Sequence, residues 1–590
     1  MDTSTRVRAP ELTGAGGWIN TPGPLSLEAL RGRIVLLDFW TFCCANCLHV
    51  LDELRDLEER YADVLVVVGV HSPKFAREAE HDAVVAAVER YEVNHPVLDD
   101  PDLTMWRQYA VRAWPTLVVI DPEGYVVAQA SGEGHAAGLE EVVRRLVDEH
   151  ERRGTLRRGA PPLAIPAPEP TPLRFPAKAV ATPHGLLVSD TGHHRLVLLD
   201  ADGNVTRSVG DGTRGWLDGP AATARFSEPQ GLCLLPDGRV AVADTVNHLI
   251  RAVDLDTGEV TTLAGTGEQL RGAPFAGPAR EQALSSPWDL AWYGGRLVIA
   301  MAGIHQLWAY DGETVGAVAG TAAEGLRDGP AGEAWLAQPS GLAVLGDRLW
   351  FADAETSALR WYDGTNVGTA VGTGLFDFGH VDGAAKEALL QHPLGVAARA
   401  DGTLVVCDTY NGALRGYDPA TGTVTTLATG LKEPSGAVEA GGRLHVVESA
   451  AHRVATPALE PRHHAGEARR TQRPATDVRP GPLALEVVFV PPAGQHLDET
   501  GGPATRLSVS ATPASLLTAG AGTSTGLTRE LTLADLYVEG VLHVTAWAAT
   551  CDDEGEHPAC HLTTQDWGIP VRLVPEGQNR LTLMLRGVSD

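Results

Sequence analysis

Apolar and polar positions change rhythm twice along the chain. From about residue 25 to 150, apolar runs alternate with stretches of helical spacing. Ile34–Phe39, Val64–Val70 and Leu117–Ile120 are short and mostly apolar and read as buried strands, while 47–61, 77–91 and 139–152 set apolar residues three and four apart against charged faces. Alternating β and α predicts a parallel or mixed sheet covered by helices. Residues 152–172 hold Pro161, Pro162, Pro166, Pro168, Pro170 and Pro172, which predicts an extended, semi-rigid linker. A second polar break, rich in Arg, His and Pro, covers 456–481. From 482 to 590 apolar and polar residues alternate, as in Leu542-His543-Val544-Thr545-Ala546-Trp547, which predicts a small antiparallel β-sandwich.

Between the breaks, residues 173–455 repeat. Pro176, Pro229, Pro287, Pro339, Pro393 and Pro434 form one column. A second, 14 or 15 residues on, is Asp190, Asp244, Met301, Asp353, Asp408 and Glu448; four further stand His194, His248, His305, Ser357, Gly412 and His452. Asp-Gly pairs recur at Asp218, Asp328 and Asp382. One small sheet cannot bury both faces alone, so six strand-rich units predict a six-bladed, all-β propeller. A residue repeated in every blade solves a structural problem in every blade, so the Asp and His columns read as turn-pinning groups before metal ligands. The sixth unit lacks a clear fourth strand after Ala455, and either Pro162–Ile165 or the segment after 470 is a candidate to supply one.

The chemistry concentrates in the first part. A buried strand runs into Thr41-Phe42-Cys43-Cys44-Ala45-Asn46-Cys47, and a charged helix follows. The spacing puts Cys44 at the helix start, where free N–H groups and the dipole favour a thiolate. A thiolate is the attacking species in disulfide exchange, and Cys47, one turn later, is placed to resolve the mixed disulfide. Cys43, Cys44, Cys47 and His49 also offer zinc-type ligands. Vicinal cysteines rarely both reach one metal, so the redox reading ranks first and no metal is expected. Seven cysteines in 590 residues do not make a disulfide scaffold. Cys233 and Cys407 read as small buried hydrophobes, and Cys551 and Cys560 as free thiols.

No apolar run reaches the ~18 residues of a membrane span, and the start lacks the apolar core of a secretory signal, so the expected compartment is the cytoplasm. A formal charge of −28 argues against nucleic acid or anionic membrane as partner.

Several stretches resemble the thioredoxin family, most closely its TlpA/ResA-like branch. These are Leu37-Asp38-Phe39-Trp40 before the cysteines, Trp114-Pro115-Thr116 before a strand, Ala9-Pro10-Glu11-Leu12 with Trp18-Ile19-Asn20, and the insertion at 71–100. The resemblance implies that Asp38 is a buried acid taking a proton from the resolving thiol. It implies that Pro115 is a cis-proline, and that Trp114 and Thr116 flank it in a loop that holds an extended substrate. The chain departs from the family in Cys43, which replaces a tryptophan and adds an auxiliary thiol, and in Ala45-Asn46 between the cysteines. Asp244-Thr245-Val246-Asn247-His248-Leu249 resembles the NHL repeat, and the order of parts resembles an NHL-repeat-containing family that animals also carry.

The fold class expected is therefore multidomain: an α/β thioredoxin-like fold over 1–151, an all-β NHL propeller over 173–455 and a small β-sandwich over 482–590. The expected function is thiol–disulfide exchange without a cofactor. The substrate would be a protein thiol or disulfide, or a small thiol, with a further protein bound by the propeller. The rival reading is an interaction scaffold whose thioredoxin fold is not catalytic. Hydrolysis within the propeller ranks last, because H-E-x-x-H and G-x-S-x-G are both missing from residues 173–455.

Overall fold

Strand propensity and helical spacing between residues 7 and 153 are realised as β1 (Val7–Arg8), β2 (Gly17–Ile19), β3 (Ile34–Trp40), α1 (Ala45–Arg60), β4 (Leu65–His71), α2 (His81–Arg90), β5 (Val97–Asp99), α3 (Thr104–Gln108), β6 (Thr116–Ile120), β7 (Tyr125–Ser131) and α4 (Ala136–Arg153). The computed structural model describes residues 7–159, 163–271, 276–470, 475–491, 495–497, 503–512, 514–534, 539–552 and 560–585. It divides into two units, one of residues 1–167 with 472–590, the other of residues 168–471.

In the first unit seven strands line up as β1-β7-β6-β3-β4-β5-β2. β3 pairs in parallel with β4, and β4 with β5, whereas β6 runs antiparallel to β3. Alternation along β3 sends Ile34 and Leu36 towards Val50, Leu54 and Leu57 of α1 and Val142 and Leu146 of α4. It sends Val35, Leu37 and Phe39 to the opposite face, against Met105, Trp106 and Tyr109. The chain beyond α4 stays on this domain: the N–H of Arg157 bonds Gly32 O, that of Gly159 bonds Asp63 O, and that of Ala164 bonds Asn20 O.

The C-terminal strands form a six-stranded and a four-stranded sheet sharing one apolar core, with Leu483, Leu485 and Val487 against Leu542, Val544 and Trp567. Two pairings are parallel, Thr476–Val478 with Cys560–Leu573 and Gly481–Val488 with Arg580–Met584. Alternation reports which face a residue takes and not the direction of its neighbour, so the antiparallel expectation held only in part. Cys551 is disulfide-bonded, contrary to the expectation of a free thiol. Its register partner across the antiparallel ladder is position 560, and cross-strand neighbours stand within the Cα separation that a disulfide spans. Cys233 and Cys407 are buried free thiols whose pKa is pushed up to about 12 by burial.

The second unit holds six successive sheets whose inner strands touch in turn, the last returning to the first. Each inner strand begins after a residue at positive φ: Phe175, Glu228, Ser286, Gln338, His392 and Glu433. The third column holds these turns. His194 Nδ1 accepts the N–H of Glu228 at 3.3 Å, His248 that of Ser286 at 3.0 Å, and His305 that of Gln338 at 3.1 Å. Ser357 Oγ does the same for His392 at 3.2 Å. His452 accepts from Phe175 at 3.0 Å and stacks edge-on against its ring, so the clamp that links neighbours also closes the circle. Gly412 has no side chain to repeat it.

The sixth unit keeps three strands, and among the described residues neither candidate segment adds a fourth. Residues 460–464 instead bond along the outer strand Thr423–Ala428 and to Asp382.

The aspartate columns surround buried arginines. Arg251 bridges Asp244 at 2.8 Å and Asp218 at 2.6 Å, Arg360 bridges Asp353 and Asp328, and Arg415 bridges Asp408 at 2.7 Å and Asp382 at 2.5 Å. Each guanidinium also donates to backbone carbonyls, so the desolvated charges are satisfied. Removing one partner leaves the others buried and uncompensated. Arg415→Ala is expected to destabilise the propeller by about 3–5 kcal/mol, read by urea unfolding of the full chain. A loss below about 1 kcal/mol would contradict this account of the columns.

Candidate active site

The cysteine loop hangs from the end of β3. Cys44 caps α1 with φ −95° and ψ 113°, and its carbonyl accepts the N–H groups of Cys47 at 3.0 Å and Leu48 at 3.2 Å. Cys43, Cys44 and Cys47 are free thiols, 3%, 8% and 0% exposed. The Cys47 thiol donates to Cys44, and its pKa lies well above the ordinary thiol range. Burial is the main cause, followed by that hydrogen bond and repulsion from Cys44; Lys74 works the other way. Cys47 therefore holds its proton at neutral pH and has to lose it before it can attack.

Asp38 continues the face of β3 that looks at α1. It is 0% exposed, and neither carboxylate oxygen has a hydrogen-bond partner. Burial raises its pKa to about 7, helped by repulsion from Glu58 and Cys44 and opposed by His95. A carboxyl group half ionised near neutral pH is suited to accept and return a proton.

The Trp114–Pro115 peptide bond is cis. Thr116 pairs with Phe39 across β3 and β6, so Pro115 stands level with Trp40, one residue before the cysteine loop begins. Thr116 Oγ1 donates to Ala113 O and meets Ser131 Oγ at 2.9 Å. The Trp114 indole N–H donates to Ser72 O at 2.9 Å, and the Lys74 ammonium lies 5.5 Å from the indole ring centre. The residues singled out from sequence thus gather at the ends of β3 and β6. His49 does not join the cysteines as a ligand; its Nδ1 meets Glu133 at 2.5 Å.

Four groups escaped the sequence reading. Glu78, fully buried, accepts from Thr41 Oγ1 at 2.6 Å and from the N–H groups of Cys43, Lys74 and Phe75 at 2.9, 2.9 and 3.0 Å, tying the insertion to the cysteine loop. Lys74, 5% exposed, brings a cation beside Cys47. His95 and Glu58 act on Asp38 from the approach to β5 and from α1. All four lie in stretches where charged residues look like solvated helix faces or loops, and no local spacing marks them as buried.

A thioredoxin-like family model matches residues 32–126, and an NHL repeat model matches residues 226–252. NHL repeat-containing protein 2 of Gallus gallus is 36% identical over 523 residues, which is 78% of this chain and 71% of that protein. Protein SUPPRESSOR OF QUENCHING 1, chloroplastic, of Arabidopsis thaliana is 38% identical over 489 residues, 75% of this chain. The match covers 46% of the plant protein, so the chain spans under half of its length. Thiol-disulfide oxidoreductase YkuV of Bacillus subtilis is 27% identical over 143 residues, 24% of this chain and 95% of that protein. Among the described residues, no helix is long and apolar enough to cross a membrane.

Asp38 also sets a pH dependence of stability. Its folded pKa, about 7, lies above its ordinary 3.8, so folding favours the protonated form. The destabilisation is absent below about pH 4, grows between 4 and 7, and persists above. The rise corresponds to roughly 4 kcal/mol. Asp38→Asn is expected to stabilise the thioredoxin-like domain at pH 8 by several kcal/mol and to leave it nearly unchanged at pH 4. Urea titrations at the two pH values check this; equal effects at both would remove the buried-carboxylate account.

Proposed function

The chain belongs to the NHL repeat-containing protein 2 family, and on that premise we propose that it is a thiol–disulfide oxidoreductase whose propeller recruits or orients a partner. The observation that carries the proposal is the dithiol of Cys44 and Cys47 at the start of α1, hydrogen-bonded to each other, with the unpartnered carboxyl of Asp38 on the same side of the sheet.

Cys44 attacks one sulfur of a disulfide substrate and forms a mixed disulfide, releasing the other sulfur as a thiol. Cys47 passes its proton to Asp38 and attacks Cys44. The Cys44–Cys47 bond forms, the bond from Cys44 to substrate breaks, and the substrate disulfide leaves as two thiols. Lys74 favours the anionic sulfur at each stage. The backbone at Trp114, Pro115 and Thr116 lies along the substrate, and Cys43 serves as an auxiliary thiol. The substrate is a protein disulfide or a small one, and a reducing compartment such as the cytoplasm keeps the pair as the dithiol. A docking role for the propeller draws support from Leu234, Trp292 and Val344. They occupy the sixth position of three consecutive inner strands and are 36–39% exposed.

The reduced full-length protein is expected to reduce insulin, and Cys44→Ser to lower the rate to background. Cys47→Ser is expected to accumulate a mixed disulfide on Cys44, recoverable by non-reducing electrophoresis. If no Cys44–Cys47 disulfide forms between about −320 and −180 mV, the span of cellular thiol poise, the oxidoreductase reading is wrong.

A further inference from the structure

Several buried polar atoms on the α1 face have no hydrogen-bond partner: both Asp38 oxygens, Nε2 of His95 and the indole N–H of Trp40. They are drawn together at a residue without a side chain. Gly69 faces Asp38 across the β3–β4 ladder. An atom at the Cβ position of Gly69 would stand 3.0 Å from Trp40 Nε1 and 3.1 Å from His95 Nε2. Both nitrogens, with Val97 Cγ2 at 3.2 Å from the same point, therefore close over the bare backbone of Gly69, the ladder neighbour of Asp38, and a side chain there would push them away.

The other side of His95 leads outward. Its Nδ1 lies 2.5 Å from Glu58 Oε1, and the side chains of His95 and Glu58 are 7% and 23% exposed. Cys47 and Glu58 are eleven residues apart on α1, three turns on the same face and ~17 Å along the axis. Asp38 and His95 occupy the face of the sheet beneath that interval.

We propose that His95 and Glu58 form a proton relay linking Asp38, and through it the Cys47 thiol, to solvent near the far end of α1. The inference rests on the oxidoreductase reading. When Cys47 closes on Cys44, its S–H proton passes to Asp38. The dithiol is oxidised, and the substrate disulfide is reduced and takes its protons from solvent. Asp38 then has to return to the carboxylate for the next cycle. In the form that accepts a proton, His95 donates its Nδ1–H to Glu58 and presents Nε2. It takes the Asp38 proton there and releases the Nδ1 proton to Glu58, which is in contact with solvent.

The charged and titratable groups acting on Asp38 are His95 from the approach to β5, Glu58 from α1 and Cys44 from the loop. His71, on the same face of β4, is held neutral by burial, with its pKa lowered to about 3, and packs edge-on against Trp40. Histidine and glutamate act on Asp38 with opposite sign, as a nearby cation and anion do, so the kinetic effect of His95 and its rescue by imidazole carry the test of the pathway.

The test uses the full-length reduced protein. The Asp38 carboxyl band is titrated by infrared spectroscopy, assigned with Asp38→Asn. His95→Asn is expected to move its midpoint to higher pH and Glu58→Gln to lower pH, each by about half a unit or more. His95→Ala is expected to slow single-turnover reduction of glutathione disulfide by at least about tenfold, and added imidazole to restore part of the rate. Shifts of the same sign, no shift in either variant, or a loss in His95→Ala that imidazole leaves untouched would overturn the relay. If the native protein exchanges no disulfide at all, the oxidoreductase reading falls by itself. Opposed midpoint shifts would then still support the connection, and their absence would still overturn it.

Discussion

A carboxylate stripped of water and given no donor in return is an expensive group to bury, and Asp38 is one. Its place follows from strand alternation, because the face of β3 that buries Ile34 and Leu36 against α1 also buries position 38. Glu78 makes the contrast plain. It too is fully buried, but four donors surround it, so its oxygens fix the cysteine loop in place. Two carboxylates on either side of one loop thus have different tasks. The one with a full set of hydrogen bonds positions, and the one with none is free to exchange a proton.

The propeller answers a different constraint. Six small sheets each leave one face open, and each has to be locked to the next through a turn whose leading residue adopts positive φ. A side chain from the neighbouring blade captures the N–H of that residue in five of the six junctions, four times with a histidine ring nitrogen. At the axis, Gly231, Gly341, Gly395 and Gly436 let inner strands approach so closely that a Cβ on Gly341 would lie 2.7 Å from the Cα of Gly395. The remaining two places in this ring hold Lys178 and Asp289. Their charges meet at 3.5 Å, and Lys178 also donates to Leu394 O, so one buried cation joins three non-adjacent blades.

Much of this was legible in the sequence because it repeats or because it is local. The proline, aspartate and histidine columns gave the number of blades, since one physical problem recurs at one spacing. The strand, Cys-x-x-Cys and helix gave the position of Cys44 and Cys47, and Trp114-Pro115 was readable beside them. Contacts that occur once and join distant segments were not legible. Glu78 reads as part of a charged helix, and only the insertion's path back to Thr41 and Cys43 buries it. His95 and Glu58 are 37 residues apart, and nothing in either stretch names the other. The disulfide at Cys551 depended on hairpin register, which alternation alone leaves open by steps of two residues.

The doublet Cys43-Cys44 shows how far backbone geometry decides chemistry between neighbours. The N–H of Cys43 is held by Glu78, and its sulfur lies 3.9 Å from Thr41 Oγ1, so this residue belongs to the buttress of the loop. Cys44 is the residue at which the chain turns into the helix, and its carbonyl already takes the N–H of Cys47. One helical turn brings the Cys47 thiol onto the Cys44 sulfur, and the pair hydrogen-bonds there. The partner of Cys44 is therefore chosen by the helix and not by adjacency in sequence. In the proposed exchange, a reaction beginning at Cys44 therefore closes on Cys47, with the proton leaving towards Asp38.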